Sequence, residues 1–361
     1  MFHLRLYQRY LMRETLAAIL LVLAAFLALF AFFDLINELR GVGSNGYQLQ
    51  HALIFVALSL PGLVYELTPI AALIGTLYAL SALARHSEIT VLRASGLATR
   101  DLLLTLFRVA GLLALVIFIV GEGVVPFTER IAQEMKARAL SSVIAQQGFE
   151  SGLWIKDGRN FINIRQALPD ASLHGVRIYK FTAASELESV TDAQEATFVP
   201  PGHWLLKGIV RTVLAGQTSR VEREESSEWT SAVNPDLLSV LMVAPERMSL
   251  YGLVNYTRHL SDNHQKTERY EVAIWKKLFY PLAVLVMVAL ALPFGYSHSR
   301  VGSGSLKMFV GVMTGILFYA LNGLFSNLGV INSWPPFASA TVPSAMFMLT
   351  AIVMLWWVER R

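Results

Sequence analysis

Residues Ser81–Asp101 read SALARHSEITVLRASGLATRD, a polar, basic island between two long apolar runs. Ala52–Ala84 carries no charge except Glu66, and Leu102–Val125 none except Arg108 and Glu122. Each run can cross a bilayer, which takes about 20 residues of helix. The island is therefore a loop at one membrane face, and Arg85, Arg93 and Arg100 mark that face as cytoplasmic. Ser87 can cap a short helix over residues 88 to 94, and Gly96 can stop it. A short helix beneath two spans is a handle for a soluble partner. The plainer reading of Glu88 and Arg93 is solvation of a cytoplasmic loop.

Composition agrees with a membrane protein. The chain has 361 residues, 54% hydrophobic and 16% charged, against roughly 25% charged in soluble domains. The net charge of +4 is small, and many basic residues flank apolar runs, so nothing points to nucleic acid. With no cysteine, disulfide and thiolate chemistry are excluded. The first apolar run is too long for a cleavable signal and lacks a clean cleavage site, so it reads as the first span.

In chain order, Arg5, Arg9 and Arg13 form a basic collar, and Thr15–Phe33 is span one. A polar exit follows, with Asn37, Glu38 and Arg40, then the GVGSNG turn. Span two carries Pro61 and Pro69, each able to kink a helix. Span three ends near Pro126. From Phe127 to Arg269 the chain holds most of its acids and is not membrane-like. After helical character over Thr128–Ser142 come LWIKDG, NFINIRQ, GVRIYKF, EATFVP, HWLLKG, IVRTVLAG and SRVERE. Such short alternating stretches predict an all-β sandwich or jelly roll. Helical periodicity returns over Ser249–His264. Leu278–Ser297 is the fourth span, and the uncharged stretch Met308–Val358 holds two more, broken at 327–336.

The predicted fold is a helical membrane protein of six spans, three plus three, with an inserted periplasmic jellyroll-like all-β domain. Its parts are 1–126, 127–269 with flanking helices, and 270–361. With both termini inside, the inner face collects Arg5, Arg9, Arg13, Arg85, Arg93, Arg100, Arg300, Lys307, Arg360 and Arg361, whereas the short outer loops hold only Arg40.

Chemistry is sparse. No G-x-x-x-x-G-K-[ST] loop occurs; Gly302–Lys307 lacks the spacing. Any ATP must be hydrolysed by another subunit, and no cofactor or metal is expected in this chain. G-x-S-x-G and H-E-x-x-H are missing, and the eight histidines are scattered. Charges at membrane depth carry more information, since they tend to face a cavity or a partner. Glu66, between two prolines, either lines a polar cavity or bonds a neighbouring helix. Glu122 sits near the outer end of span three, as an interface or pairing residue. Arg108 can snorkel. Glu38 and Arg40 lie where span one leaves the bilayer; Arg40 either holds a lipid phosphate or anchors the interface. Trp334, Trp356 and Trp357 look like interfacial belt residues.

Several strings, taken in order, carry a resemblance: Arg9-Tyr10; Leu60-Pro61 with Pro69-x-Ala71-Ala72-Leu73-x-Gly75; Arg85-x-Ser87-Glu88 with Ala94-Ser95-Gly96; Gly121-Glu122-x-x-x-Pro126 with Glu129; Gly152-Leu-Trp154-x-Lys156-Asp157-Gly158-x-Asn160-Phe161; and Val342-Pro343-Ser344-Ala345. Each is weak alone. Together, over essentially the whole chain, they resemble the LptF/LptG family of lipopolysaccharide export permeases, the LptG side more than the LptF side.

The resemblance implies a permease subunit of an ABC transporter in the bacterial inner membrane. It would pair with a homologous LptF-like permease, an LptB-like ATPase dimer and a bitopic LptC-like accessory protein. The complex would lift lipopolysaccharide from the outer leaflet of the inner membrane into β-jellyroll domains and on to a periplasmic bridge. Residues about 85–97 would be the coupling helix, with Arg85, Ser87, Glu88, Arg93 and Gly96 meeting the ATPase. Spans one and five would form lateral gates, with Asn37, Glu38 and Arg40 at the lipid. One departure stands out. Where such proteins place several basic residues at the outer end of span one, this chain has only Arg40, beside Asn37, Glu38 and Gly41.

Other classes stay open at this level: an exporter of another lipid or lipoprotein, a membrane-anchored receptor or scaffold, and an intramembrane enzyme, which the missing catalytic set disfavours.

Overall fold

A 37-residue helix, α2 (Leu49–Arg85), is the element the membrane bundle packs around in the computed structural model of the chain. The structure describes residues 6–43, 47–96, 98–139, 153–167, 172–184, 186–199, 203–215, 218–231, 244–296 and 304–360. Arg5, Arg300 and Arg361 of the inner-face charges, the Gly302 end of the inner loop and Gly152 lie outside them.

Before α2 comes α1 (Leu6–Leu39), and after it α3 (Glu88–Ala94), α4 (Thr99–Ile119), a π turn (Val120–Val124) and α5 (Val125–Ala139). The two long helices meet at Gly75. A Cβ there would lie 2.5 Å from the Ile19 Cα and 2.7 Å from its nitrogen, so only glycine lets the backbones approach this closely. Toward the inner end, Leu11, Leu80, Leu102, Leu106 and Val288 form one buried cluster. Near its outer end, the expected stop at Pro126 is not observed. The π turn shifts the hydrogen-bond register by one residue at the point where Pro126 has no N–H to give, so α4 and α5 run on as one helical rod.

The β region holds β1 (Leu153–Asp157), β2 (Asn160–Ala167), β3 (Ser172–Phe181), β4 (Leu187–Val199), β5 (His203–Ala215) and β6 (Thr218–Thr230). They form one antiparallel sheet in sequential order. Its buried face carries Ile162, Ile164, Val176, Trp204 and Leu206. The sheet curls enough for opposite corners to touch: the Ser231 hydroxyl, just past β6, donates to Asp157 of β1 at 2.5 Å. No crossover connection joins these six described strands, which follow one another in sequence as the inserted all-β domain. HWLLKG and IVRTVLAG are one strand rather than two, because Gly208 passes through at φ +65°, a conformation glycine adopts without strain. β4 is longer than its apolar half, EATFVP, suggested. Its other buried positions are Ser189, Thr191 and Ala193, which hide in an apolar pattern search.

The return to the membrane runs through a 3₁₀ turn (Pro245–Arg247), α6 (Leu250–Asp262), α7 (Glu268–Phe279), α8 (Leu282–Tyr296), α9 (Gly304–Ile331) and α10 (Pro336–Glu359). Five described helices are long and apolar enough to cross a membrane, and α7 with α8, bent by 55°, gives a sixth if the pair is counted as one span. The bend between them falls at Tyr280–Pro281, within the stretch expected as the fourth span, where proline again lacks a donor. This is a helical membrane fold with an inserted β domain.

Candidate functional site

Two polar clusters, one at each end of the bundle, hold most of the residues singled out from the sequence. The inner one is α3. Ser87 does not cap it from the extended conformation typical of a capping residue. It makes the turn itself at φ +60°, which costs a residue with a Cβ about 1–2 kcal/mol. Its carbonyl accepts the Val91 N–H at 3.0 Å. Gly96 follows α3 at φ +94°. Ile89 is buried in the inner bundle cluster and Leu92 packs against it, whereas Thr90, Val91 and Ala94 are exposed. The short helix is thus rooted on one side and open on the other. Glu88 accepts a hydrogen bond from the Tyr10 hydroxyl of α1 at 2.8 Å. Arg85 ends α2 and is exposed; Arg93 lies in α3, its side chain outside the described set.

The outer cluster is built on charge. Glu122 sits in the π turn, pairs with Lys277 of α7 at 3.1 Å and accepts the Leu250 N–H at 2.9 Å. Lys277 also donates to the Met248 carbonyl. Glu66 of α2 lies 3.8 Å from Arg247, which donates to Glu129 of α5 at 2.9 Å. Burial alone would push the Arg247 guanidinium down, but the Glu129 and Glu66 carboxylates outweigh it and hold the group above its ordinary value. The Tyr280 hydroxyl donates to the Glu66 carbonyl at 2.6 Å. Of the two sequence readings for Glu66 and Glu122, the geometry supports pairing with neighbouring elements.

The trio at the end of span one divides. Glu38 turns inward, accepting from Lys136 at 2.7 Å and from the Tyr47 hydroxyl at 2.9 Å. Asn37 and Arg40 stay exposed. Glu38 thus ties α1 to α5. Arg108 is exposed on α4.

Sequence reasoning missed Tyr10, Lys136, Arg247 and Lys277 as partners. Glu129 was visible only within a motif. A count of unmatched charge beside Glu66 and Glu122 would have called for two bases, but nothing local says which. Among the described residues no group of three or more His, Asp or Glu could hold a metal ion.

Five apolar spans, a bent helix pair that can serve as a sixth, and a six-stranded antiparallel sheet inserted between them define a multi-pass membrane protein with a β domain. The profile of the family described as lipopolysaccharide export system permease LptF/LptG matches residues 9–357, and the chain belongs to this family. It is 30% identical over 356 residues to the lipopolysaccharide export system permease protein LptG of Haemophilus influenzae, covering 98% of each chain. It is 32% identical over 357 residues to LptG of Escherichia coli K12, again over 98% of each.

Proposed function

We propose that this chain is the LptG-type permease subunit of a lipopolysaccharide exporter in the bacterial inner membrane, driven by a separate cytoplasmic ATPase that docks on α3. The observation that carries the reading is the form of that helix. Ile89 and Leu92 fix it to the bundle, Tyr10 orients Glu88, and Thr90, Val91 and Ala94 are open to a groove on a partner. Arg85, Glu88 and Arg93 give the contact its charge, with Ser87 and Gly96 setting the turns at either end.

The remaining parts follow from the same reading. The exposed apolar length of α1 suits a homologous permease subunit and the helix of a bitopic accessory protein at a lateral gate. Both termini lie in the cytoplasm and the sheet in the periplasm. An acylated lipid cannot cross water unaided, since each CH₂ taken from water is worth about 0.8 kcal/mol. The apolar face of the sheet, with Ile162, Val176 and Leu206, offers those chains a dry path. Arg40 is the α1 side chain suited to a headgroup phosphate, with Asn37 beside it. No cofactor is needed in the chain itself; ATP is used by the partner.

The test is co-purification of the solubilised protein expressed with its native neighbours, comparing the native chain with Glu88→Lys. An ATPase and a second permease should accompany the native chain, and the charge reversal should release the ATPase. Absence of an ATPase in both cases removes the energy source and favours a receptor or scaffold.

A further inference from the structure

One charge at membrane depth serves neither polar cluster. Arg108 lies nine positions after Thr99, the first residue of α4, or about 14 Å into the helix at about 1.5 Å per residue. Its side of α4 faces away from the bundle: Arg100, Leu104, Gly111, Leu112 and Leu115 are exposed with it. The Arg108 side chain makes no hydrogen bond or ion pair with another described residue, and neither does that of Arg100. Asp101 shares the first turn with Arg100 and pairs with neither arginine. A charged side chain in a span normally faces the bundle interior or pairs with an opposite charge. Arg108 does neither.

The direction of the helix says where its charge goes. A helical side chain leans toward the N-terminus of its own helix. The N-terminus of α4 is its end at the membrane face, next to α3. The long Arg108 stem therefore carries the guanidinium along apolar surface toward headgroup level, the level of Arg100. On the side of Arg108 away from α3, a Cβ on Gly111 would meet nothing within 4 Å. The missing side chain leaves a dip there, flanked by Leu112 and Leu115.

We infer that Arg100 and Arg108 hold the phosphate of an anionic phospholipid in the leaflet beside α3, with its acyl chains lying along Leu104, Gly111, Leu112 and Leu115. Guanidinium suits this ligand. It stays charged, is weakly hydrated and presents paired donors that match two phosphate oxygens. Two guanidiniums around one phosphate favour a headgroup that brings no ammonium of its own. Exposed Arg85, at the end of α2 beside α3, adds to the positive field at that face. On the orientation proposed above, this is the cytoplasmic leaflet, opposite to the one from which cargo would be lifted. The lipid is thus a resident companion of the fold and not the cargo.

The test uses the full chain with its native neighbours in nanodiscs of phosphatidylcholine containing some phosphatidylglycerol, without ATP. A photo-cross-linking side chain replaces Leu112, and captured molecules are identified by mass spectrometry. With both arginines present, phosphatidylglycerol should be captured well beyond its share of the disc. Arg108→Leu should lower that preference about fivefold, the contribution of one basic side chain near anionic lipid. Adding Arg100→Ala should bring capture down to the disc ratio. If Arg108→Leu does not assemble, Arg108→Gln carries the same expectation. The site is overturned if the two arginines give no preference, or if the preference survives their replacement. It is equally overturned if the probe captures a neighbouring polypeptide in place of lipid, which would make Arg108 a protein contact. Retention of the ATPase in the same preparation is scored separately and bears on the permease reading alone.

Discussion

The Tyr10 hydroxyl donates to the Glu88 carboxylate at 2.8 Å, across 78 residues of sequence. This bond connects the helix that opens the chain to the first residue of the short inner helix. Tyr10→Phe should leave the melting temperature unchanged, because both groups face water. Losing the bond leaves Glu88 unoriented, so ATPase retention on co-purification should weaken by about threefold, the low end of the roughly 0.5–1.5 kcal/mol net worth of a hydrogen bond, since both groups face water. Glu88→Gln combined with Tyr10→Phe should add little beyond either change alone.

Gly75 and Gly111 make a matched pair. Gly75→Ala drives a methyl into the Ile19 backbone and should cost about 1–3 kcal/mol or more through overpacking. Gly111 has nothing within 4 Å of its Cβ position. There alanine should be neutral or stabilising, by at most about 1 kcal/mol. Thermal unfolding in detergent separates the two.

Ion pairs in this protein should differ sharply in worth. Lys277→Met leaves Glu122 without its charged partner in a largely enclosed site, and should cost about 3–5 kcal/mol. Lys180→Ala removes a 2.7 Å pair with Glu188 in which the two side chains are 54% and 41% exposed. Its cost should stay within about 1 kcal/mol. Denaturation of the purified variants reads both values.

Trp204 is fully buried in the core of the sheet. Trp204→Ala should cost about 3–5 kcal/mol. The loss should be local: proteolysis would open Leu153–Thr230 while the bundle keeps its helical signal.

Much of the fold was legible because a membrane writes itself into sequence. Uncharged runs of fixed length announced the spans, and the Ser81–Asp101 island announced the turn between α2 and α4. Strands with alternating apolar residues, such as β2, were equally plain. What failed to show was backbone detail that composition does not encode. Pro126 reads as a stop, yet a π turn absorbs it. Gly208 reads as a break, yet it sits inside a strand. β4 hides half its length because Ser189 and Thr191 occupy core positions. At the sites, Glu66 and Glu122 stood out as costly charges, and Glu88 as part of a turn. Their partners Arg247, Lys277 and Tyr10 lie 181, 155 and 78 positions away, beyond the reach of any local pattern. The partner of Glu38 was hidden for the same reason, since Lys136 is 98 positions distant.

Helices α1 and α2 hold 34 and 37 residues, about 51 and 55 Å at the usual rise of about 1.5 Å per residue. The hydrocarbon core is about 30 Å thick. Some 20 Å of each helix must therefore project past the acyl chains or be taken up by tilt. Packing against the neighbouring spans sets that tilt, and the thickness of the surrounding lipid biases it. Because Gly75 clamps the two helices against each other, they lean as a pair and carry Glu66, midway along α2, and Arg85, at its end beside α3, to new heights in the membrane. The bilayer is thus itself an input to this protein, and reconstitution in lipids of graded acyl length would show it as an activity optimum at one thickness.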